Sequence, residues 1–377
     1  MRWTARKVGT DRRLRRVWVD VATRRHADDP WWVPPLRSDA LKGTDPRHNP
    51  FFRHAEVEHF VLFGDGEPVG RVAATVYPPH LELSGRKEGF FGFLSCLEDP
   101  DAFKALLSAV EGWLTDRGMR RVVGPYSYFI GQEMGVRTQG FESPPAMFQS
   151  CNPPTYRDLL GQCGYKTDFE VGTYTVANER LSQATRKAQA DSAWIERLGL
   201  VSRSMDPKRF DDEMELVRRL FNASFAGNQG VLPYERDVFE DLVGPLRRFV
   251  DPTLIRFLER NGEPVAFCVT APDVNPILQR LNGSIGALDL LRMPKWQRSL
   301  DAVVLLLVGV LPDQPMGVGP ALLAETLKAL EVGGYRTLHT TWVHQDNTAL
   351  EPLILRFCGK LRFATRSEIV FKELSNR

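Results

Sequence analysis

Apolar residues in this chain follow two spacings that alternate from one end to the other. Compact β-type runs occupy residues 57–63, 71–76, 254–258 and 303–310. Residues 12–27 and 210–225 instead carry apolar side chains every three or four positions, which is typical of an amphipathic helix. Strands with helices between them predict an α/β (mixed α+β) fold, in which helices cover a mixed β-sheet.

The predicted elements occur twice in the same order. Asp65-Gly66 and Asn261-Gly262 each lie between two strand-like runs. Both residues of such a pair accept positive φ, so each pair predicts a β-hairpin. A helix closed by glycine and further strands follow in both halves. The repeat therefore predicts two tandem domains, residues 1–178 and 179–377, with the polar stretch at residues 179–192 as the linker.

Composition narrows the class of protein. The 377 residues are 43% hydrophobic and 25% charged, which excludes a disordered, collagen-like or coiled-coil chain. A net charge of +2 argues against a nucleic-acid partner. Five cysteines without a CxxC pair favour a reducing compartment, and no signal peptide precedes the first predicted strand. We expect a cytoplasmic protein, and the basic first helix leaves open a peripheral contact with an anionic membrane.

The most specific chemistry lies between residues 303 and 330. An apolar strand leads into a turn and then a helix, and the turn contains Gln314, Met316, Gly317, Val318 and Gly319. Free amides and the dipole at a helix start attract anions, and glycine lets a phosphate approach the backbone. The turn therefore predicts a pyrophosphate site. The Walker pattern fails because no Gly-Lys-Ser/Thr follows, and the Rossmann spacing fails because a third glycine is missing.

This strand, turn and helix resemble the acyl-CoA loop of the GNAT acyltransferase superfamily, Gln/Arg-x-x-Gly-x-Gly/Ala, with matches at Gln314, Gly317 and Gly319. The segment that starts at Asn347 is similar to the Asn-led helix of that superfamily. The resemblance implies two tandem GNAT-like domains, each a twisted mixed sheet flanked by helices. It also implies acyl-CoA or acetyl-CoA as donor, with an acyl carrier protein thioester as alternative, and Asn347 beside it.

The corresponding turn of the N-terminal half departs from this pattern. It has no glycine, and three carboxylates, Glu98, Asp99 and Asp101, stand there instead. Carboxylates repel a pyrophosphate at short range. We therefore expect the first domain to be a degenerate copy.

The resemblance also implies catalytic roles. A backbone N–H of Gly309 or Val310 would polarise the thioester carbonyl, as in an oxyanion hole. The amine must lose a proton, and His339, His344 and Asp346 follow the relevant strand, with His344 the preferred candidate. Glu133, after the fifth strand of the first half, is a second candidate base.

Four further motifs resemble a bacterial double-GNAT group that includes ceramide-synthase-like N-acyltransferases. They occupy residues 30–35, 49–55, 89–93 and 152–156. The resemblance implies transfer of an acyl group to a primary amine, either a small molecule or a long-chain, sphingoid-type amine. Residues 228–233 depart from the motif of the group, which leaves the substrate open. The alternative is a non-catalytic tandem GNAT-like binding or scaffold protein, and the oligomeric state is open as well.

Overall fold

A computed structural model of the protein describes residues 1–128, 133–190, 193–226, 233–244, 247, 250–347 and 350–375. In chain order the strands and helices are β1 (Trp3–Lys7), α1 (Arg12–Arg25), α2 (Arg37–Gly43), β2 (Glu56–Gly64), β3 (Glu67–Val76), α3 (Pro78–Ser84), β4 (Glu88–Cys96), α4 (Pro100–Thr115), β5 (Arg121–Gly124), β6 (Val136–Gln139), α5 (Tyr156–Gln162), β7 (Lys166–Thr173), β8 (Thr175–Ala177), α6 (Asn178–Ala190), α7 (Ala193–Arg197), β9 (Leu200–Ser204), α8 (Phe210–Ser224), α9 (Arg236–Val243), β10 (Ile255–Arg260), β11 (Glu263–Pro272), α10 (Asn275–Leu281), α11 (Ala287–Arg298), β12 (Ala302–Val310), α12 (Val318–Val332), β13 (Thr337–Thr340), β14 (Val343–His344), α13 (Leu350–Cys358) and β15 (Thr365–Glu373).

The chain forms two compact units. Unit 1 comprises Met1–Val171, Ile277–Leu290 and Thr365–Arg377, and unit 2 comprises Gly172–Pro276 and Leu291–Ala364. Each unit contains its own mixed β-sheet with helices against it. The predicted mixed α/β fold with two sheets is confirmed.

The sheet of unit 1 has the order β1-β2-β3-β4-β5-β15-β7. The first four strands pair antiparallel, β4 pairs parallel with β5, and β15 pairs antiparallel with β5. The last strand of the chain therefore completes the first sheet. Leu106, Leu107 and Val110 of α4 pack on one face of this sheet, and α1 covers the other.

The sheet of unit 2 has the order β8-β13-β12-β11-β10-β9. Its only parallel pair among the described strands joins β12 to β13, in the position that β4 and β5 hold in unit 1. Helices α6 and α12 pack on this sheet through Leu181, Leu322 and Leu327. The predicted boundary at residue 178 assigns β8 to the first half and β15 to the second, whereas each pairs in the other sheet. A strand pattern reveals that a strand exists, but its pairing partner depends on contacts distant in sequence.

Helix α1 shows how its apolar stripe is used. Leu14 and Trp18 are buried, and the Trp18 indole N–H donates to the carbonyl oxygen of Val72 on β3. This stripe therefore faces the sheet, and the helix has only its polar face left for a membrane surface. Within the described residues, every helix is too short or too polar to cross a bilayer.

Candidate active site

Strand β12 of unit 2 separates from β13 half-way along its length. The parallel pairing covers Ala302–Leu305 and stops there. On the other side, the register with β11 shifts at Val269/Thr270, which makes Leu306 the additional residue of a β-bulge. A bulge increases the local twist and bends the strand, so residues beyond it diverge from β13.

The hydrogen bonds of this strand show which amide faces the gap. The Leu311 N–H donates to the Val265 carbonyl on the β11 side. Because N–H groups alternate in direction along a strand, the Gly309 N–H also faces β11 and the Val310 N–H faces the diverging edge. Of the two predicted oxyanion donors, Val310 has the suitable direction.

The turn after β12 lies at the surface and has no side-chain cap. Gly317 is the N-cap residue of α12 with φ 110°, and no side chain bonds the first amides of the helix. The Gln314 side-chain oxygen accepts from Arg260 Nη1 at 2.6 Å, and Met316 is 96% exposed. In this first turn the Gly319 N–H has no partner among the described residues, the Val318 N–H makes one long bond of 3.4 Å to the Pro315 carbonyl, and Pro320 has no N–H. The Gly319 amide is therefore available to an anion, whereas Val318 directs its side chain into the core.

The remaining predicted residues of unit 2 differ in availability. Asn347 Oδ1 accepts from the Leu350 N–H at 3.2 Å, so this oxygen caps α13. His339 Nδ1 lies 3.0 Å from Thr175 Oγ1, and burial lowers the pKa of His339. The His344 side chain is 44% exposed, and its Nδ1 accepts from the Asp346 N–H. Among these histidines, His344 is the accessible one.

In unit 1, side chains cover both the amide at the corresponding strand edge and the start of the following helix. The Leu97 N–H donates to Val69, which turns the Cys96 N–H toward the diverging edge. There the Tyr156 hydroxyl bonds both the N–H and the carbonyl of Cys96 at 2.8 Å. At the start of α4, Asp99 Oδ1 accepts from the Ala102 N–H. This helix start is therefore capped by a side chain of its own turn.

Unit 1 instead contains a cavity of ≈ 50 Å³ at the end of α1 and beside β4. Glu133 lines it together with Arg71, Ser95, Trp32 and His26. The Glu133 carboxylate is accessible from the cavity but surrounded by protein, and the resulting desolvation raises its pKa to about 7. Glu133 thus lies in unit 1, whereas the other predicted site residues lie in unit 2.

Sequence reasoning missed several residues of this cavity. Arg71 lies on β3 between apolar neighbours, and a charged residue within a strand-like run is the signal that points to it. Ser95 lies near the end of β4 and carries no local signal, whereas Tyr156, which begins α5, is the last residue of the motif at residues 152–156. The motif residues 129–132 and 228–232 lie outside the described residues.

Known proteins resemble this chain over most of its length. No family model matches it. It is 28% identical over 344 residues to Protein YghO of Escherichia coli (strain K12), covering 88% of this chain and 86% of that protein. It is 30% identical over 285 residues to the bacterial ceramide synthase of Caulobacter vibrioides, covering 74% and 72%. A tandem GNAT protein from the clavulanic acid biosynthesis pathway superposes with a TM-score of 0.56 at 11% identity, with 99% of both chains covered.

Proposed function

Because the chain belongs to the tandem GNAT group that includes the bacterial ceramide synthase of Caulobacter vibrioides, we propose that it is an acyl-CoA-dependent N-acyltransferase. The observation that carries this proposal is the uncapped start of α12, which directly follows a strand with a diverging edge. The start of α12 can hold a diphosphate and the edge of β12 can bind a thioester carbonyl, and an acyl-CoA contains both groups.

The residues of the turn fit an acyl-CoA donor. Gly317 has no Cβ, and its φ of 110° is strained for other residues, so the backbone can approach a diphosphate closely. Arg260 holds the Gln314 side chain and adds a positive charge beside the turn. The Val310 N–H would donate to the thioester oxygen and stabilise the negative charge that forms on it during amine attack.

Proton removal from the amine has two candidates. The His344 side chain is 44% exposed, and an imidazole is a chemically suitable proton acceptor. Glu133 has a pKa of about 7, which suits a group that accepts a proton at neutral pH. An acceptor amine attacks only after it loses its proton, so loss of the true base lowers kcat most strongly at acidic pH.

We extend the proposal to a long-chain amine, since the relative at 30% identity carries the name ceramide synthase. Helix α11 supports this extension. It has no buried residue, Leu288, Leu290 and Leu291 are 62–79% exposed, and Arg292 and Lys295 lie beside them. An exposed apolar and basic helix suits the surface of an anionic membrane, where such an amine would be found.

Vesicle binding tests this contact. The double variant Leu290→Ser with Leu291→Ser should bind phosphatidylglycerol vesicles at least ~10-fold more weakly, because two exposed leucines no longer enter the interface. Val332→Ser is the matched control, as Val332 is 88% exposed on a different helix. An equal loss of vesicle affinity in the double variant and in Val332→Ser would contradict a specific role of α11.

Titration with CoA and with acyl-CoA tests the main proposal. Gly317→Asp places a carboxylate at the N-cap of α12, and we expect a ~100-fold loss of CoA affinity from charge repulsion and from backbone strain at φ 110°. Gly317→Asn keeps the shape without the charge and should lose less.

Thiol release in the presence of amines then separates enzyme from scaffold. A folded protein that does not bind millimolar CoA would contradict the proposal. CoA binding without thiol release across a broad set of amines would favour the alternative of a non-catalytic binding protein.

A further inference from the structure

Two opposite charges line the cavity of unit 1 without a direct ion pair between them. Arg71 is 8% exposed, and Glu133, an exposed residue, borders the same cavity. Within the described residues, Arg71 forms no ion pair with a carboxylate, and its Nη1 makes only long contacts of 3.4 and 3.5 Å to two α1 carbonyls. A buried charge is costly unless a partner compensates it, so a ligand that contacts both groups would compensate the charge of Arg71.

Hydrogen-bond donors without partners surround the same cavity. Arg71 Nε, Ser95 Oγ and Trp32 Nε1 are buried, and no partner atom is found for them among the described residues. Ser95 lies directly opposite Arg71 in the register of β3 and β4, so the two side chains are neighbours on one face. Buried polar groups are normally satisfied, so these three donors favour an acceptor oxygen in the cavity.

The other lining residues set the size and polarity. His26 stacks on Trp32 at 4.2 Å, and burial keeps the histidine neutral. The Cys151 thiol donates a hydrogen bond to Asp29 Oδ2. Phe93 and Val136 form an apolar part of the cavity wall. Since one water-sized centre needs ~10–15 Å³, the cavity of ≈ 50 Å³ admits a group of only a few non-hydrogen atoms.

We propose that this cavity binds the head of a primary amine that carries oxygen acceptors on neighbouring carbons, with its ammonium group at Glu133 and its oxygens at Arg71, Ser95 and Trp32. Free α-amino acids and amino-alcohol heads share this chemistry. A carboxylate would compensate the Arg71 charge fully, whereas hydroxyl groups would satisfy the donors alone. The inference concerns binding and does not depend on acyl transfer.

Calorimetry on the full chain without acyl donor tests the site with four probes. L-serine and 2-amino-1,3-propanediol carry both groups, propylamine lacks the oxygens, and propionate lacks the nitrogen. We expect one or both of the first two to bind at least ~10-fold tighter than the last two. Preference for serine would assign an amino acid, and equal or better binding of the diol would assign an amino alcohol.

Variants connect binding to the cavity. Glu133→Gln retains shape and removes the charge, so affinity for the better probe should fall at least ~10-fold. Ser95→Ala should weaken binding less, and Glu142→Gln, an exposed carboxylate nearby, should leave it unchanged. Gly317→Asp in unit 2 should also leave it unchanged, which separates this inference from the proposed CoA site.

Three outcomes would overturn the inference. They are no binding of any probe at tens of millimolar with the protein folded by circular dichroism, propylamine binding as tightly as the oxygen-bearing amines, and Glu133→Gln without effect on affinity.

Discussion

Where β3 of unit 1 pairs with β4, Arg71 lies opposite Ser95, and the corresponding pair of unit 2 is Phe267 opposite Gly309. In unit 2 the Phe267 ring is fully buried and fills the space above the glycine. In unit 1 the same position opens into a polar cavity. The equivalent cross-strand pair thus forms an apolar plug in unit 2 and part of a polar cavity in unit 1, where residues of several other segments complete the lining.

At the strand edge that precedes the next helix, unit 1 is covered and unit 2 is open. Tyr156 and Asp99 occupy the edge amide and the helix start in unit 1, whereas Val310 and the turn at Gly317 stay uncapped in unit 2. Three residues connect strand and helix in unit 1, and seven do so in unit 2. The longer connection contains the glycine turn that can contact an anion. Unit 1 therefore has the polar cavity and a covered strand edge, whereas unit 2 has the open strand edge and a filled cavity position.

The largest effect is expected from giving unit 2 the serine of unit 1. In Gly309→Ser a Cβ would lie 2.4 Å from Phe267 Cε1 and 2.9 Å from Ser224 Oγ, and the ring has no free space to move into. We expect a loss of roughly 3–4 kcal/mol in the free energy of unfolding, from overpacking and a buried hydroxyl. Urea denaturation measures it.

Removal of the corresponding serine hydroxyl in unit 1 is the control. Ser95→Ala removes a buried hydroxyl without a partner, so the free energy of unfolding should stay unchanged or rise slightly. A similar loss in the free energy of unfolding for both variants would contradict the difference in packing between these two positions.

The next largest effect is expected in the pH dependence of the free energy of unfolding, at the residue that follows α1 in unit 1 and α8 in unit 2. The C-cap residue is His26 in α1 and Phe225 in α8. Burial lowers the pKa of His26 from 6.5 to about 4, so the unfolded chain takes up this proton first and stability is lost as pH falls from 6.5 toward 4. His26→Phe gives unit 1 the residue of unit 2 and should remove about 3 kcal/mol of that loss, measured by urea unfolding at pH 7 and pH 4.

Other groups titrate in the same interval. His59 and His339 have lowered pKa values and act in the same direction, whereas the raised pKa of Glu133 acts in the opposite one. Each is present in both proteins, so the difference between wild type and His26→Phe isolates His26. An identical pH dependence of the two proteins would contradict the neutral, buried state of this histidine.

The sequence predicted the features that depend on local chemistry. The two hairpins form at Asp65 and Asn261, which both adopt positive φ, and the glycine turn begins a helix near the predicted place. The partners of β8 and β15 were not predictable, because sheet pairing depends on distant contacts. The cavity of unit 1 was missed because Arg71, Ser95 and Tyr156 come from separate segments that only folding brings together.

A smaller effect should come from Tyr156→Phe. The Cys96 N–H and carbonyl are buried and bonded to the hydroxyl, so its removal leaves both without this partner. We expect a loss of roughly 2 kcal/mol and faster hydrogen exchange of the Cys96 amide. Exchange at wild-type rate would show that the hydroxyl does not protect this edge.

The smallest effect concerns the cap of α4. Asp99→Ala removes the acceptor of the Ala102 N–H and should cost ~1 kcal/mol by thermal or urea unfolding, while Asp99→Asn keeps an acceptor and should cost less. Neither variant should create CoA affinity in unit 1, because the short turn has no glycine and the hydroxyl of Tyr156 still covers the strand edge. We would test this in the Gly317→Asp background, where unit 2 no longer binds. Recovery of CoA binding on Asp99→Ala would show that one carboxylate alone separates the two helix starts, and that turn length and the covered edge are not needed to explain the difference.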